Sequence, residues 1–493
     1  MKTARYVLAI DQGTTGTHVS IVDGRLRVVG KSYQEFTQYF PKPGWVEHDL
    51  GEIWKSVETC IARALRSAGL SGKDIAAIGI TNQRETAGLW TREGKPLHRA
   101  IVWQDRRTSE RCAELKARGE EMRVRETTGL VLDPYFSGTK LSWLLDNIEN
   151  ARSRAGRGEL CFGTIDTWLV FKLTRGAAHV TDTSNASRTL LMGLKSLSWD
   201  EGMLELFRVP KEVLPAIRGS AEIYGVTRGL KVLPDGVPVS GMAGDQQAAL
   251  FGQACFRPGE AKCTYGTGAF LLMNVGDSPV PSRAGLLSTV AWSVGGKTTY
   301  ALEGSSFIAG AAVQWLRDGL GLIRHASEIE GLARQVKDTG AVVFVPALAG
   351  LGAPHWKPDA RGLFAGFDRS TTKAHLARAV LEGVAFQIFE LADAMRRDSG
   401  VEIPAFKVDG GAAANGLLMQ FQADVLGTPV VRPKNLETTS MGAAFLGGLG
   451  AGVWKDTAAI ARAWKSDKVF RPRMAPAVRT QALRKWAEAV KRA

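Results

Sequence analysis

Short apolar runs alternate along this chain with glycine-rich turns and with longer stretches whose apolar residues recur at helical spacing. Residues 6–10 form an apolar run that ends in the turn Asp11-Gln12-Gly13-Thr14-Thr15-Gly16. Residues 17–22 alternate loosely between polar and apolar, Asp23-Gly24 signals a hairpin, and 26–29 return as a strand. The same plan recurs near the middle, where 261–265 lead into Gly266-Thr267-Gly268 and 269–275 continue as a strand. Two copies half a chain apart predict a duplicated domain. Between them, 75–80 read as a buried strand ending at Thr81-Asn82-Gln83-Arg84-Glu85, 101–103 as a short strand, and 237–240 as a strand running through Gly241-Met242-Ala243-Gly244-Asp245 into a helix over 246–251. Later come helices over 308–316 and 376–395, and a strand at 342–346 with a glycine-rich exit at 349–352. A strand at 406–409, the turn Gly410-Gly411-Ala412 and a helix over 417–426 follow. Strands alternating with helices predict α/β layers. A boundary near residue 252 gives domains 1–252 and 253–493, with a ligand cleft between them.

Length agrees, since 493 residues exceed what one hydrophobic core serves. No apolar run is long enough to span a bilayer. The opening Met1-Lys2-Thr3-Ala4-Arg5 leads into a run too short for a secretory signal. Cys60, Cys112, Cys161, Cys255 and Cys263 are scattered and odd in number, which predicts neither zinc site nor disulfide framework and fits a reducing cytoplasm. The net charge of +14 fits an enzyme of anionic substrates better than a nucleic-acid binder, because the basic residues form no continuous block and no nucleic-acid motif is present. Arg484, Lys485, Lys491 and Arg492 are expected on the exposed face of a last helix.

The turns carry the candidate chemistry. In Asp11–Gly16 the glycines let backbone approach a ligand, and the amides with the hydroxyls of Thr14 and Thr15 can hold phosphate oxygens. Asp11 at the strand end is a candidate Mg²⁺ ligand. The plainer alternative is an ordinary β-turn. The second copy at Thr267 favours phosphate, because two hairpins could grip one phosphate chain from both sides. Gly411 permits close approach of a flat base, against the alternative of a tight strand-to-helix turn, and Asn415 stands where helix caps stand. Asp245 is either a helix cap or a general base that takes a proton from an attacking hydroxyl. Arg84 and Glu85 are either a surface ion pair or a polyol site, with Trp103 and Tyr135 as flat walls or as core aromatics. There is no Walker-A pattern, no H-R-D with D-F-G, and no G-x-G-x-x-G opening a dinucleotide fold.

Over nearly its whole length the chain resembles the FGGY carbohydrate kinases. The runs that carry the likeness include Ala9-Ile10-Asp11-Gln12-Gly13-Thr14-Thr15, Gly79-Ile80-Thr81-Asn82-Gln83-Arg84-Glu85-Thr86, Asp133-Pro134-Tyr135-Phe136-Ser137-Gly138-Thr139-Lys140, Gly244-Asp245-Gln246-Gln247, Thr264-Tyr265-Gly266-Thr267-Gly268 and Val408-Asp409-Gly410-Gly411-Ala412. The resemblance implies two ribonuclease-H-like domains of the actin, Hsp70 and sugar kinase type around an ATP cleft. Within the family it is strongest to the members that phosphorylate glycerol. It implies glycerol held by Arg84, Glu85, Tyr135, Asp245 and Gln246 between Trp103 and Phe270, with Asp245 as the base. It implies nucleotide contacts from Thr14, Thr15, Gly16, Thr267, Gly310 and Gln314, an adenosine side at Gly411 and Asn415, and Mg²⁺ near Asp11 and Asp245. Relatives are commonly dimers or tetramers. Two departures stand out. Gly16-Thr17-His18 replaces a run that usually ends in a phosphate-binding arginine, and Asp105 replaces a small or neutral residue. The competing readings are an FGGY kinase for another sugar or polyol, a non-catalytic ATP-dependent switch, and a nucleic-acid binder.

Overall fold

The computed structural model describes residues 6–357 and 359–493; the opening Met1–Arg5, read above as leading into a run too short for a secretory signal, lies outside them. Two sheets organise the chain. The first contains β1 (Tyr6–Gln12), β2 (Gly16–Val22), β3 (Val28–Glu35), β4 (Ile75–Asn82), β5 (Gly225–Val226) and β6 (Pro238–Gly244), in the order β5-β6-β4-β1-β2-β3. The second contains β7 (Ala261–Tyr265), β8 (Ala269–Gly276), β9 (Leu287–Val294), β10 (Lys297–Ser306), β11 (Phe406–Asp409), β12 (Val430–Pro433) and β13 (Ser466–Phe470), in the order β9-β10-β8-β7-β11-β12-β13.

The five central strands repeat. In the first sheet β3, β2 and β1 are antiparallel neighbours, and β4 and β6 then run parallel to β1. In the second, β10, β8 and β7 are antiparallel, and β11 and β12 run parallel to β7. This is the duplication that the paired strand–turn–strand segments predict. Val7, Leu8, Ala9 and Ile10 of β1 are all fully buried, as a central strand covered on both faces requires.

Most expected elements form with small shifts at their ends. The strand expected at 26–29 starts later, at Val28, because Leu26 adopts φ 63° while Asp23 Oδ1 accepts the backbone N–H groups of Arg25 and Arg27. The helices that matter below are α1 (Leu50–Ala68), α2 (Ser137–Asn147), α3 (Asp245–Gly252), α4 (Gly310–Asp318), α5 (Lys373–Ser399), α6 (Gly416–Leu426), α7 (Thr438–Gly450) and α8 (Pro476–Arg492). Arg484, Lys485, Lys491 and Arg492 lie exposed on α8, as expected. No helix among the described residues is long and apolar enough to cross a membrane.

The halves meet through α7, which belongs to the second half by sequence but packs on β1, β4 and β6 of the first sheet and on α3. Its approach is too close for side chains. A Cβ on Gly442 would lie 1.8 Å from the Ala248 carbonyl oxygen, and one on Gly79 1.9 Å from that of Ala443. A Cβ on Gly252 would lie 1.9 Å from the Thr438 carbonyl oxygen. One apolar cluster accordingly draws from both halves, with Val7, Ala77 and Leu250 beside Leu272, Met441 and Phe445.

Gly442→Ala therefore forces α7 and α3 apart and is expected to cost at least the ~1–3 kcal/mol typical of overpacking. Gly156→Ala, in a helix where a Cβ meets nothing within 4 Å, is expected to be neutral or stabilising by up to ~1 kcal/mol. Thermal melts of both variants beside the parent check this; equal melting temperatures for all three would contradict it.

Candidate active site in the cleft between the sheets

β4 delivers the chain to Gln83-Arg84-Glu85 at the edge of the first sheet. Glu85 sits at φ 59°, and Thr86 N donates to Arg84 O at 2.7 Å, closing a tight turn. A non-glycine residue in this region stores about 1–3 kcal/mol and persists only when its surroundings hold it there. α2 does so: Ser137 Oγ donates to Glu85 O at 3.1 Å, and Lys140 Nζ donates to Glu85 O at 3.3 Å and to Tyr135 O at 2.5 Å. Lys140 is fully buried, and that burial pushes its pKa down to about 7.

Four buried charges follow. Arg84 grips Glu303 of β10 with both terminal nitrogens, Nη1 to Oε2 at 2.5 Å and Nη2 to Oε1 at 2.9 Å. Arg188 donates through Nε to Glu85 Oε1 at 2.7 Å and through Nη2 to Glu303 Oε1 at 3.1 Å. All four side chains are at most 2% exposed. Burial alone would raise Glu303, but the Arg188 and Arg84 guanidiniums outweigh it and hold the carboxyl at about 2. Arg84 and Glu85 are thus no surface ion pair. They form one buried lattice with Arg188 and Glu303, and the sequence reading missed both of those partners. The signal for Glu303 was present as a lone acid inside the apolar strand Ala301-Leu302-Glu303; Arg188 carried none.

Asp245 opens α3. Gly244 is the capping residue, so the helix-cap alternative for Asp245 fails. Its Oδ1 stands 3.2 Å from Arg84 Nε and accepts from Gln246 N at 2.7 Å, and its side chain is 31% exposed, against at most 2% for those four. Burial raises its pKa, against the opposing pull of Arg84 and Lys262. Gly244 has to be glycine here, because a Cβ would meet Arg84 Cδ and Cγ at 2.7 Å. Gln246 Oε1 accepts from Lys262 Nζ, a third buried charge that the sequence reading passed over.

Trp103 and Tyr135 meet edge to face at 5.7 Å, and Tyr135 Oη lies 3.4 Å from Arg84 Nη2. Phe270 pairs with Ser305 on β10, the strand that carries Glu303. Trp103 Nε1 donates to Thr14 Oγ1 at 2.9 Å, which ties this wall to the first hairpin.

Both glycine hairpins close through a backbone bond, Gly13 N to Gly16 O at 2.9 Å and Gly266 N to Gly268 O at 2.8 Å. Thr15 and Thr267 are exposed at the tips, and Thr14 is half-buried. Gly16 is buried, and a Cβ there would lie 2.6 Å from Tyr33 Oη, so its lack of a side chain serves strand packing. Gly310 N donates to Gly266 O at 2.9 Å, which seats the start of α4 against the second hairpin and leaves Gln314 exposed one turn on. Gly411 is exposed after Gly410, whose φ of 83° presses it against Tyr265 O. Asn415 Oδ1 accepts from Leu418 N at 2.9 Å, so its oxygen caps α6.

The departures find partners. His18 Nε2 lies 3.5 Å from Glu437 Oε2, and Lys31 Nζ lies 3.2 Å from Glu437 Oε1. Asp105 accepts from Val46 N at 2.6 Å and from Arg107 Nη2 at 2.8 Å; Arg107 is buried beside the Trp45 ring. Its work is to hold that loop.

The comparisons with known proteins cover the same span. The FGGY family of carbohydrate kinases matches through its N-terminal domain at residues 6–252 and its C-terminal domain at 261–451. The chain is 72% identical over 496 residues to a glycerol kinase of Myxococcus xanthus, with all of both chains covered, and 55% identical over 494 residues to one of Deinococcus radiodurans, covering 100% of this chain and 98% of the other. The crystal structure of Plasmodium falciparum glycerol kinase with ADP superposes with a TM-score of 0.94 at 38% identity, covering 99% and 98% of the two chains. With both of its halves matched and its paired sheets and hairpins in place, the chain belongs to the FGGY family of carbohydrate kinases.

Proposed function

We propose that the chain is an ATP:glycerol 3-phosphotransferase, moving the γ-phosphate of ATP to a terminal hydroxyl of glycerol and releasing ADP and sn-glycerol 3-phosphate. One observation carries the reading. A partly exposed carboxylate, Asp245, stands beside an arginine whose two terminal nitrogens both bind Glu303, and the Oη of Tyr135, whose ring meets that of Trp103, lies 3.4 Å from one of them. The full-length similarity to glycerol kinases supports the substrate.

In this reading Asp245 accepts the proton of the attacking hydroxyl, and its raised pKa makes it a stronger base than an ordinary aspartate. Arg84 Nε, at 3.2 Å, holds that carboxylate in place. Glu85 accepts from Arg188 Nε through Oε1, and its Oε2 would accept a second hydroxyl. Trp103, Tyr135 and Phe270 supply apolar walls for the C–H faces of a small polyol. Gln246 adds a polar edge. The hairpin tips at Thr14, Thr15 and Thr267, with Gly310 and Gln314 behind the second, take the phosphates, and Gly411 and Asn415 line the adenosine side. Residues 1–252 would then bring the substrate site and the base, and 253–493 the adenosine side. Phosphoryl transfer asks for alignment and charge neutralisation more than covalent help, which suits a site built from fixed donors.

Mg²⁺ fits the donors at the cleft floor. Burial first, then the Asp245 and Glu437 carboxylates, push Asp11 up to about 7. That accumulation of negative charge is what an oxygen-seeking cation relieves, and Mg²⁺ is commonly held by one or two carboxylates with water and phosphate oxygens. Asp11 and Asp245 would hold it, and when bound it supplies charge neutralisation to the phosphate oxygens. The five cysteines are free and buried, in keeping with a reducing cytoplasm, and a homodimer or homotetramer is the expected assembly.

The test follows ADP release from Mg·ATP with glycerol, xylulose, gluconate, ribulose and erythritol in parallel. Glycerol is expected to exceed the others in kcat/KM by at least ~100-fold, as loss of buried polar pairing dictates. A different preferred acceptor would overturn the substrate reading and keep the kinase. Asp245→Asn is expected to lower kcat by ~10²–10⁴-fold with the melting temperature preserved. A kcat within a few-fold of the parent would remove Asp245 from the role of base.

A further inference from the structure

The cleft described above leaves Asp409 without a part. It ends β11 and is 1% exposed, yet three donors from three different elements converge on it. Thr264 Oγ1 donates to Oδ1 at 2.5 Å, while Gln253 Nε2 and Thr438 Oγ1 donate to Oδ2 at 2.7 and 2.6 Å. Thr264 Oγ1 in turn accepts from Lys262 Nζ at 2.9 Å, and the same ammonium donates to Gln246 Oε1.

The ends of this network lie at different working parts. Asp409 directly precedes Gly410-Gly411, and Thr264 lies two residues before the hairpin Gly266-Thr267-Gly268. Gln246 directly follows Asp245, and Gln253 directly follows α3. Thr438 is the first residue of α7, the helix that packs glycine-to-backbone on the first sheet. Asp409 draws its donors from the strand feeding one ligand turn, the exit of the helix that starts at Asp245, and the helix joining the two halves.

We propose that Asp409 is a positioning residue that couples the nucleotide turns to the substrate helix, through Lys262 to Gln246 and through Thr438 to α7. The proposal rests on the reading of the cleft as an ATP and glycerol site. A nucleotide settling on Gly410-Gly411 and the second hairpin sets the strand ends at Asp409 and Thr264. Hydrogen bonds in this dry interior are costly to stretch, so Gln246 and α7 follow. Coupling of this kind is reciprocal, so glycerol tightens nucleotide binding by the same factor.

Calorimetry tests it by measuring glycerol binding with and without a saturating, non-hydrolysable Mg·ATP analogue. The parent protein is expected to bind glycerol at least ~5-fold more tightly with the analogue, within the usual range of coupling between sites. Thr438→Val is nearly isosteric and removes one donor to Asp409. It is expected to bring that ratio below about 2-fold while each ligand alone binds within about 3-fold of the parent. Thr438→Ser, which restores the hydroxyl, is expected to restore the ratio. Asp409→Asn, where its melting curve is cooperative, is expected to lower the ratio at least as far as Thr438→Val. A parent-like ratio in Thr438→Val, or a parent ratio near one, would overturn the proposal. Failure of the parent to bind glycerol alone or with the analogue would instead overturn the functional reading beneath it, and that shows before any variant is compared.

Discussion

The grip of Arg84 on Glu303 is the interaction on which the cleft depends. An arginine at the edge of the first sheet is held with both terminal nitrogens by a carboxylate of the second. Neither charge reaches water, so each is tolerable only because the other is there. Arg188 extends the pairing to Glu85, and the strained turn at Glu85 is pinned from behind by Ser137 and Lys140. With its terminal nitrogens engaged, Arg84 presents Nε to Asp245 in one orientation. Such fixed donors lower the reorganisation that phosphoryl transfer would otherwise require.

The second constraint is steric. In the proposed reading two hairpins grip one phosphate chain, and that asks for two copies of the same sheet brought together. Helix α7 makes that join by presenting glycine and alanine where side chains would separate the halves. Asp409 sits where this helix, the second hairpin and the end of the Asp245 helix touch.

The sequence made the frame legible because each copy of the strand–turn–strand plan is local: the period of the apolar residues and the glycine turns state it within about thirty residues. The first-sheet site residues were legible for the same reason, since Arg84, Glu85 and Asp245 each stand within three residues of a strand's end. Their partners were not. Glu303 and Lys262 lie 219 and 16 positions from the groups they hold, inside strands that read as ordinary core. Only the improbability of an unpaired charge in such a strand announces them, and it announces no partner. Gly16 carries a packing role that the sequence did not announce, since its missing side chain makes room for Tyr33.

The most direct test of this account is the steady-state glycerol KM of Glu303→Gln, measured beside ADP affinity and a melting curve. The substitution keeps the shape and removes the charge that orients Arg84. The account predicts a glycerol KM raised by at least ~10-fold, about 1.4 kcal/mol of lost positioning, with ADP affinity within about twofold of the parent. A glycerol KM equal to the parent's in a stably folded variant would contradict it.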